Sequence, residues 1–228
     1  MRTSPDPTGM RLIPMAFLFR SLACAAALAA CVPTAMASGL DALESFVRNA
    51  RSGRAEFTQV VTAPAREGQT ARSKQSSGSF EFQRPGRFRF IYKKPFEQTI
   101  VADGQTLWLH DVDLNQVTAR RQSQVLGSTP AAVIASAPDL DTLRKDFDLA
   151  AAPDRDGLQW VSATPRNRDG QISSVRVGLR GNDLAALEIL DGFGQRSVLT
   201  FTKMELNVAL PEATFQFKPP AGADVMRQ

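Results

Sequence analysis

The stretch that decides the fold runs from Ser79 to Tyr92 and reads SFEFQRPGRFRFIY. On either side of Arg84-Pro85-Gly86, every second residue is aromatic, and the residues between the rings are polar, basic or aliphatic. Alternate side chains of a β-strand point to opposite faces, so the pattern predicts two strands that direct their rings toward one side. Arg84 precedes Pro85 between these strands, which places it at the rim of the predicted sheet.

The chain on both sides of this stretch continues in short strands. Two-residue alternation begins near Arg54, and Asp103-Gly104 is a hairpin turn signal. Further strands are predicted at Thr99–Ala102, Thr106–Leu109, Asn115–Arg121, Phe147–Ala151, Leu158–Ala163, Ile172–Leu179, Leu184–Leu190, Val198–Leu206 and Thr214–Phe217.

Helical spacing is confined to three short segments. Apolar residues from Leu40 to Ala50 recur at helical intervals, Thr129 and Pro130 are suited to begin a helix through Ala135, and Asp139–Asp146 forms a third. About ten or eleven strands with so few helices predict a mainly β protein with a single antiparallel sheet. The helices are too few to cover both faces, so we expect the sheet to curl around them as an unclosed, incomplete β-barrel with an apolar interior.

Residues 1–37 are predicted to be a cleaved signal peptide. Three arginines accompany an apolar run from Leu22 to Val32, and Ala35-Met36-Ala37 is a typical cleavage site. Residues 38–228 then form a single periplasmic domain with 24 basic and 22 acidic residues and without either cysteine. Leu28-Ala29-Ala30-Cys31 also matches a lipobox, so lipidation at Cys31 is the alternative to cleavage after Ala37.

The residues offer little for catalysis. His110 is the single histidine, no nucleophile elbow or dinucleotide fingerprint occurs, and the cysteines lie in the leader. We therefore expect no catalytic residues, no metal and no cofactor, and interpret His110 as a surface turn residue. Arg87, Arg89 and Lys93 alternate with the aromatic residues, so they face solvent or a docking partner, and nucleic-acid binding is not expected.

Several of these motifs together resemble the outer-membrane lipoprotein carrier family, LolA. The resemblance extends from about Leu40 to Val225, in order and without large gaps. Its motifs are Ser79–Phe82, Arg84-Pro85 with Phe88-Arg89-Phe90 and Pro95, Ile100–Trp108, Asn115–Thr118, Thr129–Ala135, and Phe215-x-Phe217-x-Pro219-Pro220-x-Gly222. This sequence has Phe90 after Arg89, where many members have Trp.

The resemblance implies an incomplete barrel lidded by short helices that carries triacylated lipoproteins across the periplasm. It implies two partners, an inner-membrane lipoprotein-releasing ABC transporter and an outer-membrane acceptor, and we expect the carrier to be a monomer. By the same match Arg84 is a latch on the backbone of the lid helix that carries Ile134, and Phe88 contacts the transporter and the acyl chains.

The apolar cavity is assigned chiefly from alternation. Phe90 and Trp108 are placed in it, although ordinary core packing is an equal alternative for both. The remaining predicted lining residues are Phe57, Phe80, Phe82 and Val133.

Two other functions remain open from the sequence. A membrane-anchored acceptor of the same fold would be acylated at Cys31, whereas a carrier would begin at Ser38. A periplasmic sensor of lipoproteins would bind acyl chains without handing them on.

Overall fold

The computed structural model describes residues 38–65, 68, 70–125, 137–167 and 172–228. The predicted signal peptide and the predicted helix Thr129–Ala135, with Val133 and Ile134, lie outside these residues. The described helices are α1 (Gly39–Asn49), α2 (Gln122–Val125), α3 (Leu140–Asp146) and one 3-10 turn (Glu212–Phe215). The strands are β1 (Ser52–Thr62), β2 (Ser73–Gln83), β3 (Arg87–Lys94), β4 (Gln98–Asp103), β5 (Thr106–Asp111), β6 (Gln116–Arg121), β7 (Phe147–Arg155), β8 (Leu158–Pro165), β9 (Ile172–Arg180), β10 (Asp183–Asp191), β11 (Arg196–Leu206) and β12 (Asp224–Arg227).

All twelve described strands belong to one sheet, in the order β12-β6-β5-β4-β3-β2-β1-β11-β10-β9-β8-β7. The neighbours pair antiparallel except β12 and β6, which are parallel. The two end strands, β12 and β7, do not pair with each other, so the sheet is unclosed. This confirms the predicted fold class.

Helix α1 begins at a capping box. The Ser38 hydroxyl accepts the Asp41 backbone N–H, and the Asp41 carboxylate accepts the Ser38 backbone N–H. The two bonds satisfy backbone donors that a helix start otherwise leaves free. The Asp41 carboxylate accepts from the Ser38 backbone N–H and also from the Ser38 hydroxyl, and these two bonds hold the pKa of Asp41 below its usual value. The predicted helix of Leu40–Ala50 is therefore confirmed to within one residue.

The sheet wraps one side of α1. Leu43 and Phe46 of this helix are almost fully buried in the same core as Phe82 on β2 and Val177 on β9, two strands that lie far apart in the sheet order. Such a core forms only if the sheet curves around the helix. Each buried aromatic or leucine side chain stabilises the fold by roughly 1.5–3 kcal/mol.

Helix α3 is the second confirmed helix. Its N-cap residue Asp139 accepts the Thr142 backbone N–H at 2.7 Å, as a carboxylate does at a helix start. Leu140 and Leu143 are buried in the common core.

The prediction for the C-terminal segment is wrong at one element. Thr214–Phe217 was expected to be a strand, but Glu212–Phe215 is a single 3-10 turn that follows Pro211 and buries Phe215. The last strand is instead β12, which pairs with β6 from Asp224 opposite Gln116 to Arg227 opposite Ala119. A four-residue strand with two apolar residues shows little periodicity, so its pairing with β6 decides its conformation.

Candidate functional site

The aromatic residues of the predicted stretch face one another inside the curled sheet. Phe80 pairs with Phe90, and Phe82 pairs with Phe88, between β2 and β3. The rings of Phe80 and Phe90 stack with centroids 4.4 Å apart, and Phe57 of β1 packs edge-on against Phe90 at 5.5 Å. All five side chains are at most 3% exposed. The register therefore brings Phe88, predicted to contact acyl chains, together with four of the predicted lining residues in one apolar interior.

A polar chain crosses this apolar interior. The Tyr92 hydroxyl on β3 donates to Gln59 Oε1 on β1 at 2.9 Å, and Gln59 Nε2 donates to the Ser197 hydroxyl on β11 at 2.6 Å. Burial raises the pKa of Tyr92 to about 12, because the phenolate would lose its hydration. The pairing of Gln59 with Ser197 is not predicted from the sequence, although Gln59 is a polar residue at the inward position that follows Phe57.

Gly78 is packed closely against the backbone of the neighbouring strand β3. It lies on β2, between the strands that carry Tyr92 and Gln59, and pairs with Tyr92 on one side and Phe57 on the other. The Tyr92 ring on β3 packs edge-on against Phe57 on β1, with centroids 5.0 Å apart. A Cβ atom at Gly78 would overlap the carbonyl oxygen of Ile91.

Arg84 joins two backbone segments at the rim of the sheet. Its Nε donates to the Ala50 carbonyl at 2.8 Å, and its Nη1 donates to the carbonyl of Ala137. Ala50 is the C-cap of α1, and Ala137 is the first described residue after the undescribed segment 126–136. The planar guanidinium fork suits such a bridge, because its donors point in fixed and different directions.

Arg84 is also half-buried over aromatic rings. Its guanidinium carbon lies 5.4 Å from the Phe46 ring centre and 5.5 Å from that of Phe82. Nη2 is buried and has no hydrogen-bond partner among the described residues. Burial lowers the pKa of Arg84 to about 10, so the group still carries its charge at neutral pH. Arg84 is therefore not a solvent-exposed surface arginine.

Trp108 was predicted to line the cavity, and this prediction is wrong. Ala102 pairs with both Phe88 and Leu107, so Leu107 lies on the aromatic face and Trp108 lies on the opposite face. There its ring contacts Phe217 with centroids 5.5 Å apart, and Nε1 donates to Asp103 at 3.1 Å. Alternation within β5 gives two faces but does not say which one is inside, and the β4–β5 register decides this.

His110 is a related correction. It lies within β5 on the same outer face, and its ring centre is 5.8 Å from that of Phe217. Nε2 is buried and has no hydrogen-bond partner within the described ranges, so His110 is not a surface turn residue. Across those ranges, no group of three or more His, Cys, Asp or Glu residues is placed to hold a metal ion.

The sequence was compared with known families and proteins. The family model described as outer membrane lipoprotein carrier protein LolA matches residues 48–218, which include β1 to β11 and Arg84. The chain belongs to the LolA family. The outer-membrane lipoprotein carrier protein of Albidiferax ferrireducens is 68% identical over 88% of this chain and 96% of its own length. That of Leptothrix cholodnii is 57% identical over 85% of this chain and 88% of its own.

A solved LolA superfamily protein of Nitrosomonas europaea is 14% identical and covers 80% of this chain and 99% of its own, with a TM-score of 0.45. In the described part of this LolA-family chain, no helix is long and apolar enough to cross a membrane.

The basic residues that alternate with the aromatic ones have partners inside this LolA-family chain. Arg89 forms an ion pair with Glu81, which is opposite it on β2. Arg87 lies 6.0 Å from the ring centre of Phe215 and 3.9 Å from the Glu212 carboxylate. On the outer face of the sheet, Arg89 links β3 to β2, and Arg87 links β3 to the C-terminal segment. Lys93, on the same strand, is exposed.

Proposed function

We propose that this chain is a periplasmic chaperone that encloses the acyl chains of lipoproteins and carries them to the outer membrane. The observation that carries the proposal is the aromatic interior, bounded at the rim by the bridge from Arg84 to Ala50 and Ala137. Membership in a family of lipoprotein carriers supports it. The cargo is a triacylated lipoprotein.

The physical need for such a carrier is large. Each buried methylene is worth roughly 0.8 kcal/mol, so exposing three acyl chains to water costs on the order of tens of kcal/mol. An interior lined by Phe57, Phe80, Phe82, Phe88 and Phe90 accepts hydrocarbon without leaving polar groups unpaired. The rings contact one another in this structure, so cargo must replace ring–ring contacts with ring–acyl contacts.

Arg84 acts as a latch in this proposal. Its bonds connect the end of α1 to the backbone that follows the segment in which Ile134 and Val133 lie. Loading requires the rim to open at this bridge, which breaks the bond from Arg84 to Ala137. The energy of the closed contacts then competes with cargo binding and keeps the affinity low enough for unloading.

Transfer requires two protein partners. An inner-membrane lipoprotein-releasing ABC transporter loads the carrier, and an outer-membrane acceptor unloads it. Phe88 is the residue proposed to contact both the transporter and the acyl chains. No reaction chemistry is needed, and we propose no catalytic role for any residue.

The test uses spheroplasts that make labelled lipoprotein. The purified protein should release label into the soluble fraction as a complex, and acceptor membranes should then remove the label. Release without removal would favour a lipoprotein sensor. Absence of release, together with an acylated Cys31 on the native protein, would favour an anchored acceptor.

The latch is tested separately. Arg84→Leu should load normally and release cargo several-fold more slowly, because the closed state loses its bridge. Arg87→Leu is the matched control, since Arg87 lies in the same hairpin but faces the outer side of the sheet. Wild-type handover by Arg84→Leu would contradict the latch and leave the carrier function standing.

A further inference from the structure

A cavity lined by arginines lies at the β6–β12 edge of the sheet, away from the aromatic interior. Its volume is about 480 Å³. Three guanidinium-bearing residues line it, namely Arg120 and Arg121 at the end of β6 and Arg227 at the end of β12. Its remaining lining residues are Gly104, Gln105, Thr106, Ala119, Ser123 and Gln228.

The three arginines have no carboxylate partner in the part of the chain that the structure describes. The ion pairs formed there involve other arginines and Lys203. Asp103, at the β4–β5 turn, already has hydrogen-bond partners for its carboxylate. It accepts from the backbone N–H groups of Gln105 and Thr106 and from the indole N–H of Trp108. Arg227 lies over the Trp108 ring at 5.9 Å, which holds its guanidinium in place.

Such an arrangement favours an anionic ligand. Three like charges around one cavity repel one another, and an opposite charge placed among them removes this repulsion. Arginine presents its donors in a planar fork that matches a carboxylate. Ser123 and Thr106 add hydroxyl groups to the same lining.

The neighbouring strand β12 offers a second recognition element. It is an edge of the sheet, paired with β6 on one side only. The backbone N–H groups of Asp224 and Gln228 donate to the β6 side, to Asn115 and Ala119. Because donors alternate along a strand, those of Val225 and Arg227 point to the open side. An open edge of this kind pairs with an extended peptide.

We propose that the open edge of β12 and the arginine-lined cavity together bind an extended acidic segment of a partner protein. The segment adds a strand beside β12, and its carboxylates occupy the cavity among Arg120, Arg121 and Arg227. The site is separate from the aromatic interior, so the proposed peptide binding and the proposed carrier function are independent of each other.

The site lies beside the turns at the rim. Gln122, between Arg121 and Ser123, donates through Nε2 to the Gly86 carbonyl at 2.6 Å and accepts from the Gly104 N–H at 3.0 Å. It thereby ties the turn that follows Arg84 to the turn that lines the cavity. A partner bound here is held next to the part of the rim that carries Arg84.

The test measures binding of a fluorescein-labelled peptide of alternating Glu and Val by fluorescence anisotropy. The protein is purified from cells that express the full chain. We expect binding that weakens as salt is raised, and no binding of the matching Lys–Val peptide. The triple variant Arg120→Gln, Arg121→Gln, Arg227→Gln should bind at least about tenfold more weakly. The control Arg72→Gln, Arg176→Gln, Arg180→Gln removes the same charge elsewhere and should bind as wild type.

Strand addition has its own test. A peptide N-methylated at alternate backbone nitrogens should lose binding, and Val225→Pro should weaken binding of the unmodified peptide without lowering thermal stability. Equal weakening by both triple variants, or full binding of the N-methylated peptide, would overturn the proposal. Loss of anionic phospholipid vesicle binding in the first triple variant, with peptide binding intact, would assign the cavity to a lipid headgroup instead.

Discussion

Tyr92 on β3 and Gln59 on β1 are joined by a 2.9 Å hydrogen bond that passes over the intervening strand β2. On β2, Gly78 is paired with Tyr92 and Ser76 is paired with Gln59. A partly buried tyrosine hydroxyl beside the aromatic rings thereby has an acceptor, and the cost of burying it is offset.

Replacing Gly78 should destabilise the protein. In Gly78→Ala the new Cβ overlaps the backbone carbonyl of Ile91, and the strand must move because the obstacle is not a flexible side chain. We expect a loss of about 1–3 kcal/mol in the free energy of unfolding, measured by urea denaturation. Ser76→Ala, on the same strand and facing the same side, is the control and should change stability by under about 0.5 kcal/mol.

The buried hydroxyl of Tyr92 makes stability depend on alkaline pH. Its pKa is raised from an ordinary value near 10 to about 12, so the folded state retains the proton over a range in which the unfolded chain loses it. This contribution is therefore present below pH 10 and lost between about pH 10 and 12, up to about 2–3 kcal/mol. In Tyr92→Phe, the free energy of unfolding should no longer fall by this amount between pH 10 and 12, and measurements at several alkaline pH values test this. Parallel curves for the two proteins would contradict the buried position of the hydroxyl.

Tyr92→Phe also tests the polar chain at neutral pH. It leaves Gln59 Oε1 without its donor in an apolar setting, which should cost about 1–2 kcal/mol. Tyr92→Phe combined with Gln59→Leu should recover part of that loss, because the unpaired Oε1 is removed and only the half-buried Ser197 hydroxyl loses its Gln59 donor. Thermal unfolding of the single and double variants measures this coupling, and additive effects would argue against it.

The fork of Arg84 matters as much as its charge. Arg84→Lys keeps the cation but cannot reach the Ala50 and Ala137 carbonyls in two directions at once. We therefore expect it to release cargo as slowly as Arg84→Leu in the handover assay. Recovery of the wild-type rate by the lysine variant would show that charge alone is needed.

Trp108 should affect stability and leave cargo binding unchanged. Trp108→Phe removes the bond to Asp103 on the outer face and should cost about 1 kcal/mol. The Trp108→Phe variant should bind a hydrophobic fluorescent probe as the wild type does. Phe90→Ala alters the aromatic interior and should therefore change the affinity for that probe. A large loss of probe binding in Trp108→Phe would place the indole on the cargo path.

Much of the fold follows from local patterns. The aromatic alternation around Arg84, the helical spacing from Leu40 and the short helix predicted at Asp139–Asp146 each correspond to an element that the structure contains. These signals are short-range, since a strand or helix face is defined by residues two to four positions apart. The resemblance to the lipoprotein carrier family came from the same stretches and is confirmed by the family match.

The sequence by itself determined that this is a mainly β chain with an aromatic inner face, an arginine at its rim and few residues suited to catalysis. Tertiary structure alone decided that Trp108 faces outward, that Tyr92 reaches Gln59, that Arg84 bridges Ala50 and Ala137, and that β12 pairs with β6. The physical reason is that alternation gives each strand two faces but no register. Turn geometry and pairing between distant strands set the register, and a shift of one residue exchanges the inner face for the outer one.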